Sequence, residues 1–309
     1  MTWLLWRQHR LQAATSAVLL AMLGVLLAST GVHMADVYRH AVTQCSNCLL
    51  VGSLFQGYGA VIDIVTVTVA VPLVLGIVFG SVLVAREAEQ ATDVLVWTQG
   101  VSRRRWLFSK AATALAATVV VAAAMTAIVT WWSGTPNSLY QNRFDPLKFD
   151  TQNLMPVAFA VFALGLGLFV GALIRRTLPT IAVTAGGFLA ARLPFEIYIR
   201  PHLQAARHLV GPLSKELATP KGAWVLGSTF FGPAGQTISG PFDPQTVCPA
   251  AFDRSSAAAC LNRLGYRVQV NYQPAARYWH FQWLEGGLFA VVGLALLLAG
   301  VLVTLRRDA

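Results

Sequence analysis

With 309 residues, 56% of them hydrophobic and only 12% charged, the chain is too apolar for a soluble protein, which at this length would hold about two domains. The net charge of +10 raises nucleic acid as a partner, but many of the basic residues flank apolar runs, and no basic-aromatic stripe, zinc-finger spacing or RNA-binding signature is present. No nucleic-acid partner is expected. Apolar runs of about 20 residues recur, the length a helix needs to cross a bilayer, so the expected fold is an all-α polytopic membrane protein with six transmembrane helices.

In chain order, residues 2–10 mix Trp3, Leu4, Leu5 and Trp6 with Arg7, His9 and Arg10, which predicts an N-terminal interfacial helix in contact with lipid head groups. The first span follows at about 11–32; its apolar run is long for a cleaved signal peptide, the competing reading suggested by Ala28, Ser29 and Thr30. A loop from about His33 to Tyr58 leads to the second span, about 59–84, with Asp63 near its start and a kink expected at Pro72. The third span is placed at about 111–131 and the polar, turn-rich stretch 133–153 after it. The fourth, about 154–173, carries Gly165, Gly167 and Gly171, small residues that permit close helix contact. The fifth runs at about 178–198 and the sixth at about 281–305. Between them, about 200–279 is too rich in polar residues, Gly and Pro to cross a bilayer, and within it Ala257–Leu264 reads as a helix capped by Ser256. Tyr266–Tyr272 alternates as a strand, with Val268, Val270 and Tyr272 on one face. The chain is thus expected to be one transmembrane domain, 1–309, with a large insert.

Basic residues set the orientation. Arg7, Arg10, Arg86, Arg103, Arg104, Arg105, Lys110, Arg175, Arg176, Arg306 and Arg307 fall on the side that holds both termini, against Arg39, Arg143 and Lys148 in the short loops opposite. Short cytosolic loops carry the excess of Lys and Arg, so both termini are expected to be cytosolic and the insert extracellular. Cys45, Cys48, Cys248 and Cys260 then all fall on the outer side, where disulfides persist. Pairing Cys248 with Cys260 closes a small loop and leaves Cys45 with Cys48, although four cysteines allow three connectivities. A zinc site at Cys45-x-x-Cys48 with His33 and His40 is the rival reading, disfavoured because an outer thiolate site competes with oxidation.

The most charged stretch of the first half, Arg86 to Lys110, lies between spans 2 and 3 and fits two short helices turning at Gly100, with Ser102 as N-cap of the second. As composition it reads equally as a solvated positive-inside loop. The order Arg86-Glu87-x-Glu89-x-x-Thr92, Leu95, Val101-Ser102-Arg103, Trp106-Leu107 and Lys110 resembles the cytosolic coupling helix of ABC transporter permeases of the type-2 exporter superfamily, with Ala91 where the family usually has Gly. GLGLFVGALIRRTLPTIAVT is similar to the tight turn between spans 4 and 5 of actinobacterial members. Tyr272-Gln273-Pro274, Arg277-Tyr278-Trp279, Gln282 and Glu285 resemble the signature before their last span, with Tyr278 in place of the usual Phe.

The resemblance implies a permease subunit in a bacterial cell membrane that moves a substrate outward. A separate ATPase subunit, which binds the ATP and Mg, would dock on Arg86, Glu87, Glu89, Thr92, Leu95, Ser102, Arg103, Trp106 and Lys110. A second permease copy or a paralogue is implied, because the ATPases act in pairs. Consistent with a separate ATPase, the chain has no G-x-x-x-x-G-K-[ST] loop, and neither H-E-x-x-H nor G-x-S-x-G suggests catalysis or a metal. Charges at membrane depth call for a role: Asp63, Arg192, Glu196 and Glu285 lie towards the outer ends of their spans and are candidates for an outer gate, with snorkelling the plainer account. Arg192 and Glu196, four apart, share a helix face. Two other classes compete: a membrane-embedded enzyme using Glu87 and Glu89 with His202, His208 or His280, which the expected topology puts on opposite sides, and a non-transporting sensor or immunity subunit.

Overall fold

The computed structural model describes residues 2–44, 57–81, 102–140, 143–212, 219–238, 243–249 and 254–307. Arg86, Glu87, Glu89, Thr92 and Leu95 of the expected coupling helix, its turn at Gly100, and Cys45 and Cys48 lie outside the described residues. Six helices are long and apolar enough to cross a membrane: Ala14–His40, Gly59–Ser81, Arg104–Trp132, Met155–Ile174, Thr177–His202 and Ala275–Arg307, here spans 1 to 6. The chain divides into two compact units, one holding the spans and the other built on Ile197–Trp279.

The helix ends differ from those expected on polarity. Span 1 is part of one continuous helix, Thr2–Gln44, so no break separates the interfacial helix from the span, and the stretch expected to loop from His33 is helical as far as Gln44. His33–Gln44 contains no Gly or Pro to stop a helix, and Met34 and Tyr38 keep it packed beside Leu27, Val65 and Trp132. Span 3 likewise starts early. Its helix is Arg103–Trp132, with Ser102 at the N-cap in extended backbone, so the second short helix expected after Gly100 is the first turn of the span itself. The stretch 133–153 is not simply a loop: Gly134–Tyr140 and Pro146–Thr151 are short helices, and Phe149, Asp150 and Thr151 are buried.

Span 2 is irregular where Pro72 predicts it. An α-helix to Val67 gives way to a 3-10 turn, Thr68–Ala70, then α-helix Val71–Gly76 and a π turn, Ile77–Ser81. Pro72 has no N–H for the carbonyl four residues back, and the Val71 N–H takes that Thr68 carbonyl instead. Several threonines in the spans bond their own helix, as Thr30 does to Leu26 O at 2.7 Å and Thr304 to Gly300 O at 2.9 Å. Such bonds keep a hydroxyl satisfied where no water reaches it.

Span 4 is the centre of the bundle: 72% of its apolar window is buried, against 17–33% for the other five. A helix apolar on every side needs neighbours on every side. Glycines let them come close. A Cβ on Gly76 would stand 2.3 Å from Ala163 Cβ, one on Gly80 2.6 Å from Leu164 O, and one on Gly165 1.9 Å from Gly293 O. Spans 2, 4 and 6 therefore meet backbone to backbone. At the end where span 4 finishes, Leu107 and Ala111 of span 3 join Leu168, Ala172 and Val301 in one core.

The second unit adds a sheet that the all-α reading of the chain omits. Four antiparallel strands run in the order β1 (Arg207–Pro212), β4 (Arg267–Gln273), β2 (Trp224–Phe231), β3 (Thr237–Ile238). The alternating stretch Tyr266–Tyr272 supplies the central strand, and β1 and β2 pair along its two edges. The helix expected at Ala257–Leu264 is Arg254–Arg263, which puts Ser256 inside its first turn and not at the cap. It leads into β4 through Gly265, whose φ of +85° is open to glycine at little cost. Cys248 and Cys260 are disulfide-bonded, with Cα atoms 6.3 Å apart and a sequence separation of 12. Closing a loop of that size removes about 3 kcal/mol of unfolded-chain entropy. A Cys248→Ser, Cys260→Ser protein is therefore expected to lose protection of this unit first, read by hydrogen exchange of β4 amides against those of span 4.

Candidate functional site

The charged segment meets the bundle through Ser102–Lys110. Arg104 and Arg105 are exposed, whereas Trp106 and Leu107 pack on the core. Lys110 is buried, with its ammonium 4.7 Å from the centre of the Trp106 ring, close enough for a cation–π contact. Of the docking residues expected from the sequence, Ser102, Arg103, Trp106 and Lys110 thus sit on the first two turns of span 3. At the same end, spans 4 and 5 are joined by two residues: Arg175, left-handed at φ 58°, and Arg176, extended. Arg307 of span 6 donates to the carbonyls of Ala172 and Leu173 at 3.2 and 3.0 Å. The last carbonyls of a helix lack partners within it and carry its negative end, and a guanidinium satisfies both demands. The tight turn is therefore tied to the last turn of span 6.

At the other end, an ion pair joins span 5 to the short helix Pro146–Thr151. Arg192 donates to Asp150 Oδ2 through Nη2 at 2.6 Å and Nε at 3.1 Å, and the Asp150 side chain is fully buried. Glu196 lies 3.9 Å from Arg192, as the four-residue spacing predicts. The guanidinium also stands 5.3 Å from the centre of the Phe159 ring. Phe159 meets Phe188 and Phe289 edge-on, and Phe195 closes on Phe289. Aromatic faces on one side and carboxylates on the other hold the cation away from lipid. Asp150 escaped the sequence reading, although an arginine at this depth calls for a counter-ion and few acids are available to it.

The other two gate candidates lie on spans 2 and 6. Asp63 is exposed on span 2 and forms no ion pair with a described residue. Glu285 is buried on span 6, three residues after Gln282 and four before Phe289. Gln282 closes the same end of the bundle: its Nε2–H donates to Phe149 O at 3.1 Å and its Oε1 accepts from the Leu154 N–H at 3.1 Å. One amide thus serves an orphan carbonyl at the end of the short helix and an orphan N–H at the start of span 4.

The rest of that signature does the same for the second unit. Gln273, fully buried, donates to Gln204 O at 2.7 Å, and Arg277 donates to Ala205 O at 2.7 Å and to Gln273 Oε1 at 2.6 Å. Tyr278 is buried against the edge of Phe144, with the Arg143 guanidinium 4.3 Å from its ring centre. His202 and His208 lie in this unit and His280 is exposed at the start of span 6; the glutamates an enzyme reading would pair with them are outside the described residues.

Six helices long and apolar enough to cross a bilayer, with a buried ion pair at one end of the bundle, fit a multi-pass membrane protein. A family model described as "ABC-2 membrane transporter related" matches residues 17–200, and the chain belongs to that family. The match covers spans 1 to 5 and ends before the sheet. Members are membrane permease components, not themselves enzymes as a rule, and work with an ATP-binding-cassette ATPase subunit. No curated protein and no solved structure matches the chain.

Proposed function

We propose that the chain is the membrane-spanning subunit of an ATP-binding-cassette exporter in a bacterial plasma membrane, paired with a second copy or a paralogue. The family match over residues 17–200 carries this reading. The positive-inside rule places Arg104, Arg105, Arg175, Arg176, Arg306 and Arg307 in the cytosol with both termini, and the connection between spans 2 and 3 then faces the ATPase, which holds the ATP and Mg. Span 3 starts as rigid helix at Arg103, so a push on the Arg86–Lys110 segment passes directly into the bundle. The spans admit drugs, antibiotics, peptides and lipids as cargo classes.

At the outer end, Asp150, Arg192 and Glu196 keep span 5 against the Pro146–Thr151 helix in the resting state, and tilting of the bundles on ATP binding separates them. Glu285 and Asp63 lie on the neighbouring spans that would flank the opening.

The test is recovery of partners from native membranes. Tagged protein solubilised in mild detergent is expected to bring down an ATP-binding-cassette subunit, identified by mass spectrometry. Glu87→Lys, Glu89→Lys protein is expected to reach the membrane at normal levels and lose that subunit. Recovery of no ATPase with the wild type would overturn the exporter reading, and undiminished recovery with the variant would move the docking site elsewhere.

A further inference from the structure

Residues directly opposite each other on antiparallel strands share a face. His208 of β1, Asn271 of β4 and Gly227 of β2 form one such row. Beside Gly227 the register shifts, leaving Leu226 as an extra residue, the kind of bulge that redirects a side chain. Because Gly227 has no side chain and nothing stands within 4 Å of where a Cβ would be, the row ends in open space. That space is part of a groove of about 340 Å³ lined by Pro201, His202, Ala205, Ala206, Leu226 and Asn271, among others.

We propose that this groove binds the phosphate-bearing headgroup of an anionic phospholipid. The polar groups facing it are mostly committed in one direction. Asn271 Oδ1 accepts from Gln269 Nε2 at 3.0 Å, which leaves the Asn271 amide hydrogens to donate to a phosphate oxygen. His202 Nδ1 lies 2.7 Å from the Tyr198 carbonyl, which can only accept. A proton is therefore on Nδ1, and Nε2 is the ring atom left to meet a headgroup. Among the described residues, no carboxylate lines the groove. Arg277, always charged, is fixed behind its wall by the bond to Ala205 O, and Gln273 pins the adjoining Gln204 carbonyl. The wall is thus pre-organised and positive.

Location selects the source of the phosphate. His202 is the final residue of span 5, the depth at which headgroups begin. The volume is at the low end for small-molecule sites, enough for a phosphoglycerol headgroup while its acyl chains stay in the bilayer. The inference does not depend on what the protein transports.

Native mass spectrometry of the full-length protein in detergent tests it, with phosphatidylglycerol titrated against phosphatidylcholine. The wild type is expected to bind its first phosphatidylglycerol about tenfold more tightly than phosphatidylcholine, the effect of one well-placed charge-assisted bond. Gly227→Val puts a strand-favouring residue into the groove, its Cβ clear of any neighbour within 4 Å; Asn271→Asp keeps the acceptor for Gln269 and turns the donor into an anion. Both are expected to remove the preference while leaving the melting temperature within about 2 °C, as surface changes do. Unchanged preference in both variants overturns the proposal. So does displacement of the lipid by soluble sn-glycerol 1-phosphate at equal affinity, which would mark a site for free organophosphates.

Discussion

Replacing Arg192 by Met is expected to destabilise the protein by about 3–5 kcal/mol, the range for removing one partner of a buried ion pair. The cost comes from what is left behind: an Asp150 carboxylate with no exposed side-chain surface, deprived of two hydrogen bonds of 3.1 and 2.6 Å. Lysine at this position should recover only part of the loss, since an ammonium is a point charge and cannot match the two-pronged approach to Oδ2. Pairing Arg192→Met with Asp150→Leu should recover most of it, because two apolar side chains satisfy each other where one charge cannot. Thermal unfolding in detergent across this double-mutant cycle gives the coupling energy. The gate reading adds a separate requirement: the double variant, though stable, is expected to show altered substrate-stimulated ATPase activity in the assembled transporter. Stability restored together with wild-type stimulation would assign the pair a purely structural role.

Gly165→Ala is the second change expected to have a large effect. A single methyl there would lie 1.9 Å from Gly293 O and 2.8 Å from its carbonyl carbon. Backbone cannot rotate aside as a side chain can, so spans 4 and 6 must separate, at a cost at or above the usual ~1–3 kcal/mol of overpacking. Gly186→Ala is the matched control on span 5, where a Cβ meets nothing within 4 Å. There the better helix propensity of Ala predicts a gain of up to about 1 kcal/mol. Opposite signs from the same substitution, measured by melting temperature in one detergent, would separate packing from propensity; equal effects would refute the close contact.

The parts of the fold legible from sequence are those fixed by local pattern. Apolar runs gave the number and place of the spans because a bilayer enforces length and composition. Pro72 gave the break in span 2, and the spacing of Arg192 and Glu196 gave their proximity. The Cys248–Cys260 pair followed from the short loop it closes. What escaped was non-local. Asp150 is 42 residues from Arg192, and the stretch around it looked like a polar turn because its burial depends on spans not adjacent in sequence. In the sheet, the clear alternation of β4 announced a strand, but β1 begins with Arg207 and His208 and ends in Gly211 and Pro212, a pattern that becomes a strand only beside β4. Helix ends at Gln44 and Arg103 were misplaced because polarity, unlike Gly or Pro, does not stop a helix.

The bracket made by Gln282 has a consequence for the order in which the molecule can be completed. The Phe149 carbonyl and the Leu154 N–H are synthesised 133 and 128 residues before the amide that serves them. Spans 3, 4 and 5 can be in the bilayer while that corner of the bundle still relies on substitutes for its missing bonds. Only after the whole sheet unit has been made, and span 6 has entered behind it, is the corner closed. Completion of this end of the bundle therefore waits on synthesis of the unit that precedes the last span, and a nascent chain stalled before Gln282 should be the form most exposed to membrane quality control.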